Sequence, residues 1–265
     1  MTALAVLTGL AERPDRAAWL SATAVAGAAW IALLGAAGPS DLFDIEALRA
    51  LCLAIETDGV GPAALARAWA MWSLMSVAMM LPTALPAIGL YASLVSKELS
   101  GWRLAARVGA FALGYLIVWC AAAVGFAVAQ LGLRDLAGPG LRADAVGPVM
   151  AGAILLLAGA YQLTPLKQAC LTQCRNPMAF FFAQWREGAT GALAMGARHG
   201  VICVGCCWAL MALMFVFGAM NLLWMAALGV VMLLEKAAPR ADVAGRWLGL
   251  VLIAAGVTLV IRTMT

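Results

Sequence analysis

An all-α, polytopic membrane helical bundle of about seven transmembrane helices is the fold class this sequence predicts, on three observations. Hydrophobic residues make up 65% of the 265 and charged residues only 11%, against roughly 45–50% and about 25% in soluble domains. Mean hydropathy is +0.97, more apolar surface than a soluble globule of this size can hide. The apolar residues fall in runs close to the ~20 that a helix needs to cross the hydrocarbon core, without the period-2 alternation of strands. Soluble enzymes, disordered tails and secreted disulfide scaffolds are excluded, and one membrane domain over 1–265 accounts for the length.

Seven runs qualify: 17–38, 68–95, 106–131, 146–163, 200–218, 221–234 and 246–261. The first is longer than a signal-peptide core, and Glu12 and Asp15 dilute its positive flank, so it reads as an uncleaved span. The second contains Pro82 and Pro86. Each proline removes one helical hydrogen bond and frees a carbonyl about four residues upstream. In lipid that carbonyl must find a neighbouring donor, water or an ion. The third holds Cys120, read as a small packing residue. After the fourth, Thr164-Pro165 is a helix-start signal, because Thr caps and Pro is tolerated in the first turn. The segment 165–197 is the longest inner connection and the most polar. It still carries Phe180-Phe181-Phe182 and Trp185, which draw it to the membrane surface as a cytoplasmic or interfacial loop. Only Gly218–Asn221 separates the fifth and sixth runs. They form either a tight hairpin or one kinked segment over 200–235, which would reduce the count to six.

Basic residues set the expected orientation. With the N-terminus cytoplasmic, twelve Lys and Arg fall inside and five outside (Arg49, Arg67, Arg134, Arg142, Arg262), as the positive-inside rule requires. The first outer loop is acidic, and the C-terminus falls outside. The net charge of +4, dispersed between apolar runs, speaks for membrane orientation and against nucleic acid.

Seven cysteines and fourteen methionines supply the candidate chemistry. Cys170 and Cys174 are four apart, one helical turn. His199, Cys203 and Cys206 recur at i, i+4, i+7 and share a helix face. That face lies at the inner entry of the fifth span, and Cys207, Met211 and Met214 extend a neighbouring stripe deeper. In the second span Met71, Met75 and Met79 recur every four residues, followed by Met80. Thiolate and thioether favour Cu(I), zinc and similar soft ions. One helix cannot surround a metal, so Cys170, Cys174 or second-span methionines must complete the shell. Plain packing is the competing reading for the methionine stripe and the proline pair. Cys52 is a free thiol or an intermolecular partner. Glu235-Lys236 closes the sixth span at the inner face. Tyr161, Gln162 and Asn221 are interhelical hydrogen-bonding residues. Cytoplasmic thiols stay reduced, which favours metal binding or transient redox over a structural disulfide. There is no Walker motif, dinucleotide fingerprint or Ser/His/Asp set, and a single histidine excludes bis-His haem within one chain.

Three stretches carry a family resemblance: Ala78-Met79-Met80-Leu81-Pro82; Tyr161-Gln162-Leu163-Thr164-Pro165-Leu166-Lys167 with Cys170 and Cys174; and 196–223 with His199-Gly200 and Gly205-Cys206-Cys207-Trp208. Over about 68–260 the chain resembles a bacterial family described as predicted metal-binding integral membrane proteins. The resemblance implies a metal at Met79, Met80, Cys170, Cys174, His199, Cys206 and Cys207, and a bacterial inner membrane. Cys203, Met75 and Met211 join on spacing alone. Vicinal Cys206-Cys207 is also similar to the paired cysteines of mercury-uptake membrane proteins. Copper(I) leads as the expected ion, with zinc or mercury as competitors. The expected function is soft-metal binding, transfer or transport, with no ATPase domain and so with a gradient, a partner or passive exchange as the drive. The alternatives are a membrane thiol-disulfide oxidoreductase and an accessory subunit of a larger membrane complex. The expected partners are the lipid bilayer and a metallochaperone or membrane-complex subunit.

Overall fold

Helix starts follow the punctuation of the sequence. In a computed structural model describing residues 14–37, 61–137, 147–218, 221–238 and 241–264, ten helices account for the order. They are α1 (Pro14–Ala37), α2 (Pro62–Val95), α3 (Gly101–Ala137), α4 (Pro148–Gln162), α5 (Pro165–Arg175), α6 (Pro177–Gln184), α7 (Gly188–Ala212), α8 (Met214–Phe217), α9 (Leu222–Ala237) and α10 (Ala241–Met264). No strand occurs among the described residues. Proline opens α2, α4, α5 and α6, where its missing N–H has no intrahelical acceptor to lose. Thr164 caps α5 by accepting from the Lys167 backbone N–H at 3.3 Å. Cys52 lies outside the described residues.

Each of the seven predicted segments is mostly helical where it is described. Among the described residues, five stretches are long and apolar enough to cross a membrane: Arg16–Leu34, Pro62–Val95, Gly101–Leu133, Gly188–Phe217 and Asp242–Thr263. The sixth predicted span, which forms α9 with 16 residues, is not among them. The fourth predicted span is broken. Its helix α4 has only 15 residues, roughly 22 Å, and reaches span length only together with α5, to which it is bent by 63°. The segment predicted as an inner loop is thus largely helical, and it buries Phe180 and Phe181.

The single-kinked-segment alternative for 200–235 is overturned. Lys236 Nζ lies 3.0 Å from Cys203 Sγ, whereas one continuous helix would separate these residues by about 50 Å. The chain therefore reverses. Gly218, at φ 94°, ends α8 in a conformation L-residues avoid. Asn221 starts α9, its Oδ1 accepting from the backbone N–H groups of Leu223 (3.1 Å) and Trp224 (3.2 Å). Asn221 is thus a cap, not an interhelical bridge.

The start of the fifth span also differs from expectation. Charged Arg198 and polar His199 point to an entry near residue 200, yet α7 begins at Gly188. The preceding stretch 188–197 is small and apolar, and so continues the helix, while Arg198 turns outward and His199 is buried. Cys203 consequently stands 15 residues into the helix, about 22 Å from its start.

The bundle is organised by close contacts. α2 packs against α1 and α3, α3 against α7, α7 against α5, and α4 against α10. Small residues let backbones approach where lipid gives no hydrophobic drive. A Cβ on Gly159 would lie 2.7 Å from the Gly249 carbonyl, and one on Gly196 2.8 Å from the Phe111 carbonyl carbon. Gly196→Ala is expected to lower stability by at least ~1–3 kcal/mol, the usual cost of overpacking. Thermal unfolding in detergent checks this, and an unchanged midpoint would contradict the packing. The Pro82 kink is accommodated within the protein: the freed Ala78 carbonyl accepts from Trp30 Nε1 of α1 at 3.1 Å.

Candidate metal centre

Three thiols from two helices converge. The Sγ atoms of Cys174 on α5 and of Cys203 and Cys206 on α7 all lie within 4.8 Å of one another, with Cys174 and Cys206 at 3.8 Å. Spacing explains the α7 pair, since i and i+3 share a face. The α4–α5 bend explains Cys174, because it lays α5 along α7. Gly205 makes this possible: a Cβ there would stand 2.8 Å from Cys170 Sγ. Tyr161, at the end of α4, donates its hydroxyl to the Gly205 carbonyl and sets its ring edge-on to Trp208 at 4.9 Å. Gly205→Ala is therefore expected to turn the Cys170 thiol aside and weaken any function that needs it. It should leave overall helicity unchanged, as circular dichroism would register.

The remaining predicted residues take separate places. Cys207 turns from the trio toward α2, where its sulphur is 3.6 Å from Met80 Sδ and 2.9 Å from the Cys203 carbonyl. Cys170 packs on Gly205 and is outside the close set. Met75, Met79 and Met211 are buried, and Met79 lies near Gly229 of α9. His199, one turn before Cys203, is buried among the rings of Phe180 (5.3 Å), Tyr115 (5.9 Å) and Phe111 (6.1 Å). Its Nδ1 has no hydrogen-bond partner. It is not one of the three groups that meet.

Two features of the site carry no signal in the sequence. Lys236 on α9 donates to Cys203 Sγ at 3.0 Å and to Thr83 Oγ1 at 2.7 Å. Tyr115 of α3 places its hydroxyl 3.1 Å from the same sulphur and 3.0 Å from the Met80 carbonyl. Cys203 is thus the junction of α2, α3, α5, α7 and α9. Beside it, Lys167 and Glu235 form a buried ion pair at 2.8 Å, exposed by 1% and 6%. Gln162 completes this group, donating to Glu235 Oε1 at 3.1 Å and accepting from Lys167. The α4–α5 bend is thereby fastened to α9. Both lysines read as inner-surface charges in the sequence; their partners lie 68 and 33 residues away, beyond any local pattern.

Chemically, three sulphurs within 4.8 Å suit a soft ion in a low-coordinate thiolate shell. Cys203 and Cys206 are each 1% exposed, and Cys174 is half-buried, so the trio is closed inward and reachable at one member. Fold and site together define a bundle of membrane-length helices with a buried soft-ligand cluster able to hold a metal ion. A family model described as PpoB2, copper chaperone, matches residues 69–259. That match covers well over half of the chain, and the chain belongs to this family. No curated protein and no solved structure matches it.

Proposed function

We propose that the chain is an integral protein of the bacterial cytoplasmic membrane that binds Cu(I) at Cys174, Cys203 and Cys206 and passes it on. The observation that carries the reading is the convergence of these sulphurs from two helices. Membership in a copper chaperone family supports the ion. Half-buried Cys170 and Cys174 receive copper, and Cys203 with Cys206 hold it. Cys207 and Met80 offer the next pair of soft ligands, at 3.6 Å, leading toward the buried methionines Met75, Met79 and Met211. Transfer proceeds by ligand exchange with a partner metallochaperone or an acceptor subunit, because the sequence contains no nucleotide-binding motif. A cytoplasmic N-terminus still accords with the charge bias once Lys167 and Lys236 are set aside as internal, ten against five.

The test is Cu(I) titration of the purified protein in mild detergent, reduced and oxygen-free, against a chromogenic chelator. One tightly held Cu(I) per chain is expected, with Zn(II) and Hg(II) as comparison ions. The 3.8 Å approach of Cys174 and Cys206 also favours a second reading, a dithiol oxidoreductase. Protein that takes up no Cu(I) but reversibly forms a Cys174–Cys206 disulfide would replace the first reading with the second.

A further inference from the structure

A lysine ammonium beside a metal-binding thiol acts in two directions: it promotes the thiolate and repels the ion that the thiolate attracts. Lys236 Nζ is 3.0 Å from Cys203 Sγ, and its other contact is the neutral Thr83 hydroxyl at 2.7 Å. The adjacent carboxylate of Glu235 is taken by Lys167. Among the described residues no acidic group pairs with Lys236, so its charge faces the thiol site uncompensated.

From this placement we infer that Lys236 sets the preference of the site for a monovalent over a divalent soft ion. The inference rests on the reading of the thiol trio as a Cu(I) site. Three thiolates around Cu(I) carry a net charge of minus two, and around Zn(II) minus one. Burying charge in an apolar bundle grows more costly as the net charge rises. A fixed ammonium therefore favours the more negative Cu(I) complex more strongly. Seen from the ion, the ammonium repels two charges twice as strongly as one. Any effect of Lys236 on thiolate formation is common to both metals and cancels in their ratio, so the ratio isolates the charge effect.

The experiment is anaerobic competition between Cu(I) and Zn(II) on the full-length protein in detergent, for wild type, Lys236→Gln and Lys236→Arg. The glutamine variant is expected to lose selectivity for Cu(I) over Zn(II) on the order of a hundredfold, the size of one unit charge removed from a few ångströms at a dielectric of about 20. The arginine variant is expected to stay near wild type. An unchanged Cu(I)/Zn(II) ratio in the glutamine variant, with Cu(I) still bound, would overturn the role of Lys236 and leave the copper site standing. Wild-type protein that binds no Cu(I) would overturn both. If the glutamine variant does not accumulate, Lys236→Leu, an apolar side chain suited to a membrane helix, takes its place: a lost preference supports the role of Lys236 and an unchanged ratio overturns it.

Discussion

Replacing Cys203 and Cys206 together with serine is expected to abolish stoichiometric Cu(I) binding while the bundle stays folded. Serine keeps the size and hydrogen-bonding capacity of cysteine but is a hard oxygen donor, and Cu(I) selects soft sulphur. Cys206 Sγ already lies 3.1 Å from the Cys203 carbonyl, and a hydroxyl can make the same contact. Cys174→Ser alone should weaken Cu(I) by more than tenfold, ~1.4 kcal/mol or beyond, because Cys174 is the one member of the trio that α5 supplies. Cys120→Ser, distant in sequence and outside the trio, should change nothing. Chelator competition measures the affinities, and far-UV circular dichroism reports the fold. Full retention of Cu(I) in the double variant would rule out the thiol trio as the copper site.

Lys167→Met is expected to destabilise the protein by about 3–5 kcal/mol, the cost of leaving a buried charge without its partner. Glu235 would keep only the Gln162 amide at 3.1 Å for a carboxylate that is 6% exposed. The double variant Lys167→Met/Glu235→Leu should recover most of that loss, because a buried ion pair contributes little net stability over apolar replacements. The distinction matters for the site. The pair ties the α4–α5 bend to α9, and the same two elements present Cys174 and Lys236 to Cys203. Unfolding in mixed micelles measures the difference; a double variant as unstable as the single one would show that the cost does not come from the uncompensated charge.

Much of the helical order is legible in the sequence because its determinants are local. Thr164-Pro165 signals the α5 start, and Thr164 is the cap observed. Pro82 requires a partner for its freed carbonyl, and Trp30 is that partner. The i, i+3 relation of Cys203 and Cys206 places them on one face. A single helix cannot enclose a metal, which calls for a ligand such as Cys174 from elsewhere. What helical periodicity cannot supply is which helices face each other. It does not separate Cys206, which joins the trio, from Cys207, which turns to Met80. It groups His199 with the cysteines, although the ring lies among aromatic side chains. Charge misleads where a cation turns inward. Lys167 and Lys236 read as surface residues because Glu235 and Cys203, their partners, are remote in sequence. Arg198 and His199 mask the true start of α7 at Gly188, since the sequence does not show which of two adjacent polar groups turns outward.

X-ray absorption at the copper edge of anaerobically loaded protein reads the ligand shell itself. Three sulphur neighbours around Cu(I), reduced by one in Cys174→Ser, are the predicted result. A shell dominated by nitrogen or oxygen, or an unchanged sulphur count in Cys174→Ser, would contradict a site built from the thiols of α5 and α7.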